Sequence, residues 1–345
     1  MKSAAPSCSG GSVTGSYSIV SRKAFVGAII IASALGATVH AQSFPTRPVR
    51  LIVPFPPGGA TDIVGRIWAD AAGKELGQPV IVDNRAGGGG SVGSLLVAKA
   101  PPDGYTLGIA TVGTHAANTA CNPKGGYDPV HDFTPISNLA RTPNVLTVNT
   151  QLPVQNFAQL LVYIKKNPLA VRCASGGTCG VHHLTGALFS SLIGTDLTHV
   201  AYRGSGPALT DVVGGHVELF FDSLPGSLPS IQAKRLRPLA VAWEQRLPSL
   251  PDVPTYAELG YKPINDAVWY GLVGPANLPA DILSKLNAVT AKVMAMPEVR
   301  DRIHQTGSEP TSTSPAQFGL DIRAALERMQ STVKSQGITF DPSKP

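Results

Sequence analysis

The stretch Leu51-Ile-Val-Pro-Phe-Pro-Pro-Gly-Gly-Ala-Thr-Asp62 determines how the rest of the chain is interpreted. Leu51 to Val53 are apolar, as in a buried strand, and the prolines that follow end that strand because proline has no backbone N–H to donate. Two glycines then allow a tight turn, and Thr61 or Asp62 can cap the apolar-periodic run beyond it. The stretch predicts a strand, a rigid turn and a helix start whose free amides suit an anion.

The same turn has a second interpretation. Many α/β proteins carry a glycine-containing turn between a strand and a helix without binding any ligand. A binding site is therefore indicated only if further loops of this kind converge on residues 54–62.

Length and composition predict a globular protein of two domains. The 345 residues exceed one ordinary core, and 43% hydrophobic with 14% charged residues excludes a disordered chain. The formal net charge is +6, and a chain that begins at Gln42 has 25 basic and 22 acidic residues, a net charge of +3. Because no basic run with interleaved aromatic residues is present, we expect no nucleic-acid partner.

Residues 22–41 have the order of a secretory signal. Arg22 and Lys23 precede an apolar run from Ala24 to Val39, and small residues surround Ala41. The run is shorter than the ~20 residues that a membrane-spanning helix needs, so a permanent anchor is the weaker alternative. We therefore expect residues 1–41 to be a signal peptide that is cleaved near Ala41.

Three cysteines remain after such a cleavage, Cys121, Cys173 and Cys179. In an oxidising compartment, Cys173 and Cys179 could close a small loop as a disulfide and leave Cys121 free. Their position beside His182 and His183 also raises the question of a metal, but no second ligand pair at zinc-finger spacing accompanies them. Cys173–Cys179 is therefore the candidate disulfide, and we expect no metal site.

Short apolar runs alternate with helical patterns along the mature chain, which predicts parallel βαβ units in doubly wound sheets. The predicted strands are 49–53, 80–82, 106–111, 133–139, 144–148, 171–174, 198–201, 217–221, 236–242 and 269–273. The predicted helices are 62–76, 91–99, 156–167, 181–193, 208–213, 279–296 and 315–336. A crossing between domains is expected near Pro143, and the last third of the chain is expected to return and cover the first domain.

Ligands of open α/β sheets bind at the carboxyl ends of strands. Four predicted loops therefore belong to one cleft between the two domains, namely residues 54–62, 111–115, 175–182 and 221–223.

Enzymes are the main rival class of protein. A nucleophile-elbow hydrolase needs Gly-x-Ser-x-Gly with an acid and a histidine downstream, and the segments around Ser205 and Ser227 lack that frame. Gly87 to Gly90 follows a strand, but it lacks the Lys-Ser/Thr of a phosphate loop and the spaced acid of a dinucleotide fingerprint. We expect no enzymatic activity and no cofactor.

A series of motifs resembles one family along the whole mature chain. The matching blocks are Pro45-Thr-Arg-Pro-Val-Arg-Leu-Ile-Val-Pro-Phe-Pro-Pro-Gly-Gly-Ala-Thr-Asp62, Gly77-Gln-Pro-Val-Ile-Val-Asp-Asn-Arg85, Pro102-Asp-Gly-Tyr-Thr-Leu107, Tyr127-Asp-Pro-Val-His-Asp-Phe-Thr-Pro135, Gly204-Ser-Gly-Pro-Ala-Leu-Thr-Asp211 and Leu250-Pro-Asp-Val-Pro-Thr255. They resemble the extracytoplasmic solute-binding receptors of the tripartite tricarboxylate transporters, also called Bug receptors.

The resemblance implies a periplasmic-binding-protein-like fold of type II, with a ligand cleft between two doubly wound α/β domains. The pattern of strands and helices along the chain predicts one domain made of residues 42–143 plus 267–345 and a second of residues 144–266. The implied protein is a periplasmic monomer that closes on a small carboxylate and delivers it to membrane permease subunits. Docking on a sensor kinase instead of a permease is an alternative with the same fold.

In that family, backbone amides, hydroxyls and bridging waters from two facing loops hold the carboxylate, which is consistent with charge-assisted hydrogen bonding. Carried over to this chain, the ligand-binding residues are Phe55, Pro57, Gly58, Gly59, Ala60, Thr61, Asp62, Thr111, Thr114, Ser175, Gly176, Thr178, His183, Tyr202 and Asp222. Asp62 has a second interpretation as a helix cap, and Asp222 has to accept a hydrogen bond from a ligand amine, hydroxyl or water. Trp269 and Tyr270 are expected to pack.

The second loop departs from the family pattern. Cys179 stands where glycine is common, Gly180 where a hydroxyl is common, and Ala187 in place of an acid. Because this loop is expected to recognise the ligand, the sequence leaves the identity of the carboxylate open.

Overall fold

A computed structural model of the chain describes residues 10–16, 44–167 and 170–338. The chain divides into two units, residues 1–43 and 44–345. Residues 10–16 of the first unit are exposed and contain no helix or strand. The expected signal sequence at 22–41 lies outside the described residues. None of the described helices is both long enough and apolar enough to span a membrane.

Six strands form the first sheet of the second unit. They are β1 (Val49–Val53), β2 (Val80–Asn84), β3 (Thr106–Thr111), β4 (Phe133–Thr142), β10 (Val268–Pro275) and β11 (Glu309–Pro310). Their order is β11-β4-β10-β3-β1-β2. β1 pairs with β2 and β3 in parallel, whereas β10 runs antiparallel to β3 and β4.

Five strands form the second sheet. They are β5 (Asn144–Asn149), β6 (Arg172–Ser175), β7 (Thr198–Ala201), β8 (Leu219–Ser223) and β9 (Leu236–Ala242). Their order is β7-β6-β8-β5-β9. β6 is parallel to β7 and β8, and β5 is antiparallel to β8 and β9.

Helices cover both sheets. They are α1 (Ala60–Leu76), α2 (Ser91–Ala98), α3 (Asn118–Cys121), α4 (Phe157–Lys166), α5 (Val181–Ile193), α6 (Ser205–Val213), α7 (Leu224–Gln232), α8 (Ala280–Ala295), α9 (Pro297–Gln305) and α10 (Pro315–Gln336). Short 3₁₀ turns span Gly88–Gly90 and Lys262–Ile264, and a π-helical turn spans Gly113–Ala117.

The two sheets are the centres of two α/β domains, as the sequence predicted. Both sheets contain the predicted parallel strand pairs, and each also contains antiparallel pairs: β10 runs against β3 and β4, and β5 runs against β8 and β9. A single residue, Pro143, joins β4 of the first sheet to β5 of the second. The exact domain limits 42–143, 144–266 and 267–345 stay a prediction.

Each domain has its own apolar core. The first core includes Trp68, Leu107 and Phe318. Phe318 lies on α10 and packs edge-on against Trp269 of β10, with 5.2 Å between the ring centroids. The C-terminal helices therefore cover the first sheet, as expected, and the second domain packs around residues such as Phe189 and Phe220.

Candidate functional site

A cavity of about 60 Å³ lies between the two domains, where the loops after β1, β3, β6 and β8 meet. The first domain contributes Phe55, Pro56, Gly59, Ala60, Thr61, Gly89, Thr111, Val112, Gly113, Val268 and Tyr270. The second contributes Gly176, Gly180, Val181, His182, Ser205, Asp222 and Ser223. The four loops that the sequence assigned to one cleft do converge.

Three helices begin at this cavity. Each has a glycine as its N-cap: Gly59 before α1, Gly180 before α5 and Gly204 before α6. The first amides of a helix have no partner within the helix, and a glycine cap has no side chain to cover them. The helix starts therefore bring N–H groups and positive partial charge to one space, which suits an anion. The cavity lining contains no lysine or arginine among the described residues.

The first loop is held by hydrogen bonds behind the cavity. The Asp62 carboxylate accepts from the Gly58 N–H at 3.0 Å, from Arg66 Nε at 3.0 Å and from Asn84 Nδ2 at 2.9 Å. Asn84 Nδ2 also donates to the Phe55 carbonyl at 3.0 Å. Burial alone would raise the pKa of Asp62, but these hydrogen bonds hold it below its usual value. Asp62 thus fixes the loop and does not line the cavity.

Thr111 lines the cavity, whereas Thr114 lies behind it. The two threonines hold each other, since the Thr114 N–H donates to Thr111 Oγ1 at 3.0 Å and the Thr111 N–H donates to Thr114 Oγ1 at 3.1 Å. His115 Nδ1 lies 2.9 Å from Thr114 Oγ1, and burial lowers the pKa of His115 to about 3. His115 is therefore buried and neutral at pH 7.

In the second loop, only Gly176 of the named residues lines the cavity. The Ser175 hydroxyl lies 2.7 Å from His199 Nε2, and the rings of His183 and His199 stack with centroids 3.9 Å apart. His183 Nδ1 accepts from the Cys179 N–H at 3.0 Å. These side chains hold the loop from its outer side.

Three more of the expected residues lie at the rim. Thr178 lies beside Gly89 of the first domain, and Pro57 is exposed opposite Gly206. The Tyr202 hydroxyl donates to Asp211 Oδ2 at 2.7 Å.

The expected Cys173–Cys179 disulfide is wrong. Cys179 is bonded to Cys121 of α3, with 5.8 Å between their Cα atoms, and Cys173 is a free, buried thiol. Cys173 belongs to β6 and points into the second core, where its sulfur lies close to Gly186. Cys179 faces the first domain, so the bond crosses the cleft. Among the described residues, no cluster of three or more potential metal ligands occurs.

Asp222, at the end of β8, is almost fully buried, with 1% of its surface exposed. The Ser227 hydroxyl donates to its Oδ2 at 2.7 Å. Burial raises the pKa of Asp222 to about 6, against the opposing effect of Ser227, Ser205 and the Ser223 backbone.

His182 links the cavity to Asn144, the first residue of β5, where the chain passes from the first domain to the second. Its Nε2 lies 3.1 Å from Asn144 Oδ1 and 3.3 Å from Ser223 Oγ. Asn144 Nδ2 donates to the Asp266 carbonyl at 3.1 Å, so its Oδ1 is the acceptor and His182 Nε2 carries the proton. Burial lowers the pKa of His182 to about 4, so the ring is neutral at pH 7.

Residues 64–338 match the profile of the "Tripartite tricarboxylate transporter family receptor". The chain belongs to this family. One relative of the receptor is a protein from the tcbD-tcbE intergenic region of Pseudomonas sp. strain P51, 38% identical over 85% of this chain and 87% of its own length. Another is BugT of Bordetella pertussis, 33% identical over 91% of this chain and 97% of its own.

Solved structures of the same type resemble the receptor closely. Periplasmic binding protein BugD superposes with a TM-score of 0.83 at 30% identity and covers 86% of this chain and 99% of its own. Rpa4515 of R. palustris, solved with adipate, has a TM-score of 0.83 at 37% identity and covers 86% of this chain and 99% of its own. MatC of Rhodopseudomonas palustris, solved with malate, has a TM-score of 0.81 at 32% identity and covers 84% of this chain and 100% of its own. The receptor is thus a periplasmic-type binding protein and not an enzyme.

Sequence reasoning missed several residues that line the receptor's cavity. Gly180, Val181 and His182 form the start of α5, and the glycine before a predicted helix start was a usable signal. Gly89 also came with a signal, because it lies in the glycine-rich loop after β2. Tyr270 was expected to pack, and nothing in its local pattern distinguished it from Trp269.

The receptor's two domains meet through glycines at the edge of the cavity. A Cβ atom added to Gly204 would lie 2.5 Å from Pro56 Cδ, and one added to Gly177 would lie 3.6 Å from the Gly89 Cα. The facing loops are therefore in contact, and at Gly204 no side chain larger than hydrogen fits between them.

Proposed function

We propose that the receptor captures a small carboxylate between its two domains and delivers it to the membrane subunits of a tripartite tricarboxylate-type transporter. The observation that carries the proposal is the convergence of three glycine-capped helix starts on one cavity whose described lining has no lysine or arginine. Amide donors hold a carboxylate through charge-assisted hydrogen bonds and need no arginine.

The relatives support this choice of ligand class. Rpa4515 is described with adipate and MatC with malate, and both are carboxylates. The receptor is more than 30% identical to each over most of its length. Bridging waters can complete the coordination between the amides and the carboxylate.

We assign two roles to the predicted residues. Those that contact the ligand directly or through water are Phe55, Gly59, Ala60, Thr61, Thr111, Gly176 and Asp222, together with Val181, His182, Ser205 and Tyr270. Those that hold the loops in place are Pro57, Gly58, Asp62, Thr114, Ser175, Thr178, His183 and Tyr202. Preformed loops reduce the ordering entropy that is lost on binding.

The variant Ala60→Pro tests the amide site directly. Ala60 is the first residue of α1, where proline removes one N–H without breaking the helix, and Gly59 is already extended (φ −83°, ψ 167°) as proline requires of its predecessor. Loss of one charge-assisted hydrogen bond should weaken carboxylate binding about 10- to 100-fold. The measurement is isothermal titration with the ligand found by thermal shift over mono-, di- and tricarboxylates.

Ala280→Pro is the matched control. Ala280 is the first residue of α8, follows the extended Pro279 (ψ 141°) and does not line the cavity. Equal affinity in both variants and the wild type would remove the start of α1 from the site. If no carboxylate of the panel binds the wild type, the ligand class itself is refuted.

Delivery to a permease needs its own experiment. Vesicles that contain the tripartite membrane subunits of the host should accumulate the bound carboxylate only when the receptor is added. Uptake that does not depend on the receptor, together with capture of a sensor kinase by the ligand-bound form, would favour the signalling alternative.

A further inference from the structure

One oxygen of Asp222 has no hydrogen-bond partner in the part of the chain that the structure describes. Ser227 donates to Oδ2 at 2.7 Å, and no donor satisfies Oδ1. The first turn of α7 fixes this orientation, because a Cβ added to Gly226 would lie 2.9 Å from Oδ2. Since Asp222 lines the cavity and α7 engages Oδ2, Oδ1 is the oxygen left for a bound molecule.

A buried carboxylate oxygen without a donor is unfavourable, and native proteins rarely leave one. No lysine or arginine among the described lining residues can neutralise Asp222. The other groups near it are the Ser205 hydroxyl and the Ser223 backbone N–H, neither of which reaches hydrogen-bond geometry at Oδ1, and Tyr270 of the first domain. The missing donor therefore has to come from what the cavity holds.

We infer that Asp222 makes the receptor select carboxylates that also carry a hydrogen-bond donor, either a hydroxyl or an ammonium group, positioned to reach Oδ1. This inference rests on the proposed function and specifies its ligand class. The amides of the helix starts hold the ligand carboxylate, and Asp222 accepts from the second group.

A plain carboxylate lacks this second group. It brings only acceptors, leaves Oδ1 unpaired and places a negative charge near another one. A site that is built to hydrogen-bond a ligand group discriminates strongly against an analogue without that group, because its own polar atom then stays unpaired.

The test compares ligands that differ in one group. The probes are succinate, malate and aspartate, then glutarate, 2-hydroxyglutarate and glutamate, and each is titrated into the full receptor by calorimetry at pH 7.5. In the series that binds, the hydroxy or the amino acid should bind about 10- to 100-fold more tightly than the plain diacid. Comparison of the hydroxy with the amino compound identifies which donor the site takes.

Two variants connect that preference to Asp222. Asp222→Ala should bring the affinities for the hydroxy or amino acid and the plain diacid to within about threefold of each other, and Asp222→Asn should reduce the difference partly, because an amide oxygen is a weaker acceptor. Asp252→Asn, at an exposed position of the second domain, is the matched control and should keep the wild-type preference. A melting temperature of Asp222→Asn that is no lower than that of the wild type separates an effect on binding from a failure to fold.

Three results would overturn the inference. Plain diacids that bind as tightly as their hydroxy and amino analogues would refute it while leaving the carboxylate receptor intact. Equal loss of affinity for both classes in Asp222→Ala would mean that a water supplies the donor. A preference for plain diacids that grows below pH 6 would mean that protonated Asp222 donates to the ligand.

Discussion

The bond between Cys121 and Cys179 joins the two domains beside the cavity, so its removal should change both stability and ligand exchange. The two cysteines are separated by 58 residues and lie on opposite sides of the cleft. In the chain-entropy treatment, a loop of that length stabilises the folded protein by about 4 kcal/mol. For a protein of this size, that corresponds to a decrease in Tm on the order of 10 °C when the bond is absent.

The functional consequence follows from the same geometry. With the bond intact, the loop around Cys179 stays attached to α3 of the first domain, and the cleft opens only as far as that attachment allows. A dithiol reductant converts the bond to two thiols and is itself oxidised to a disulfide, which frees the loop. We expect reduction to accelerate dissociation of the bound carboxylate.

The assay uses the double variant Cys121→Ser/Cys179→Ser and the wild type with and without dithiothreitol. Denaturant unfolding measures the free energy of unfolding, and stopped-flow displacement of the bound carboxylate measures the dissociation rate of that ligand. Cys173→Ala is the control, because Cys173 is a free thiol, and this variant should keep the full response to the reductant. The reasoning would be refuted if oxidised and reduced wild type had the same unfolding free energy and the same dissociation rate, with thiol formation verified by mass spectrometry. A disulfide-linked Cys173–Cys179 peptide in a non-reducing digest would refute it as well.

Two further predictions concern closure and pH. Gly204→Ala should weaken carboxylate binding at least tenfold by calorimetry and enlarge the ligand-bound radius of gyration, because its Cβ would meet Pro56 at 2.5 Å. The control Gly260→Ala, also at positive φ (+88°) but with open space around it, should have neither effect. A Gly204→Ala variant that stays compact and binds tightly would contradict the contact between the facing loops. Asp222 has its pKa raised to about 6, so the stability it contributes is present below pH 4 and is lost as pH rises through 6, amounting to about 3 kcal/mol. Asp222→Asn should therefore raise the unfolding free energy of the ligand-free protein at pH 7.5 by up to about 3 kcal/mol and leave it unchanged near pH 4; an equal effect at both pH values would contradict a buried, titrating carboxylate.

Much of the local structure could be predicted from the sequence. Strand Thr106–Thr111 and helices Val181–Ile193 and Pro315–Gln336 have the bounds that their patterns indicated. These bounds depend on apolar periodicity and on prolines and glycines at the ends, and both act within a few residues. The convergence of four loops on one cleft was also predictable, because the ends of strands in a doubly wound sheet lie at one edge.

Other features depended on distant parts of the chain. Asp62 was predicted as a ligand contact or a helix cap, and the structure pairs it with the nearby Gly58 and Arg66 and with the distant Asn84. The family resemblance placed His183 in the site, and the structure stacks its ring on the distant His199. The contacts with Asn84 and His199 leave no trace in the residues next to Asp62 and His183 in sequence.

The sequence by itself determined the family, the two α/β domains and the glycine-capped start of α1, since motifs, periodicity and caps are local properties. Only the tertiary structure decided that Cys179 bonds to Cys121 instead of the nearby Cys173, and that Oδ1 of Asp222 has no hydrogen-bond partner among the described residues. The physical reason is the same in both cases. A disulfide and a hydrogen bond depend on the direction of side chains in space, which closure of one domain on the other sets and sequence spacing does not.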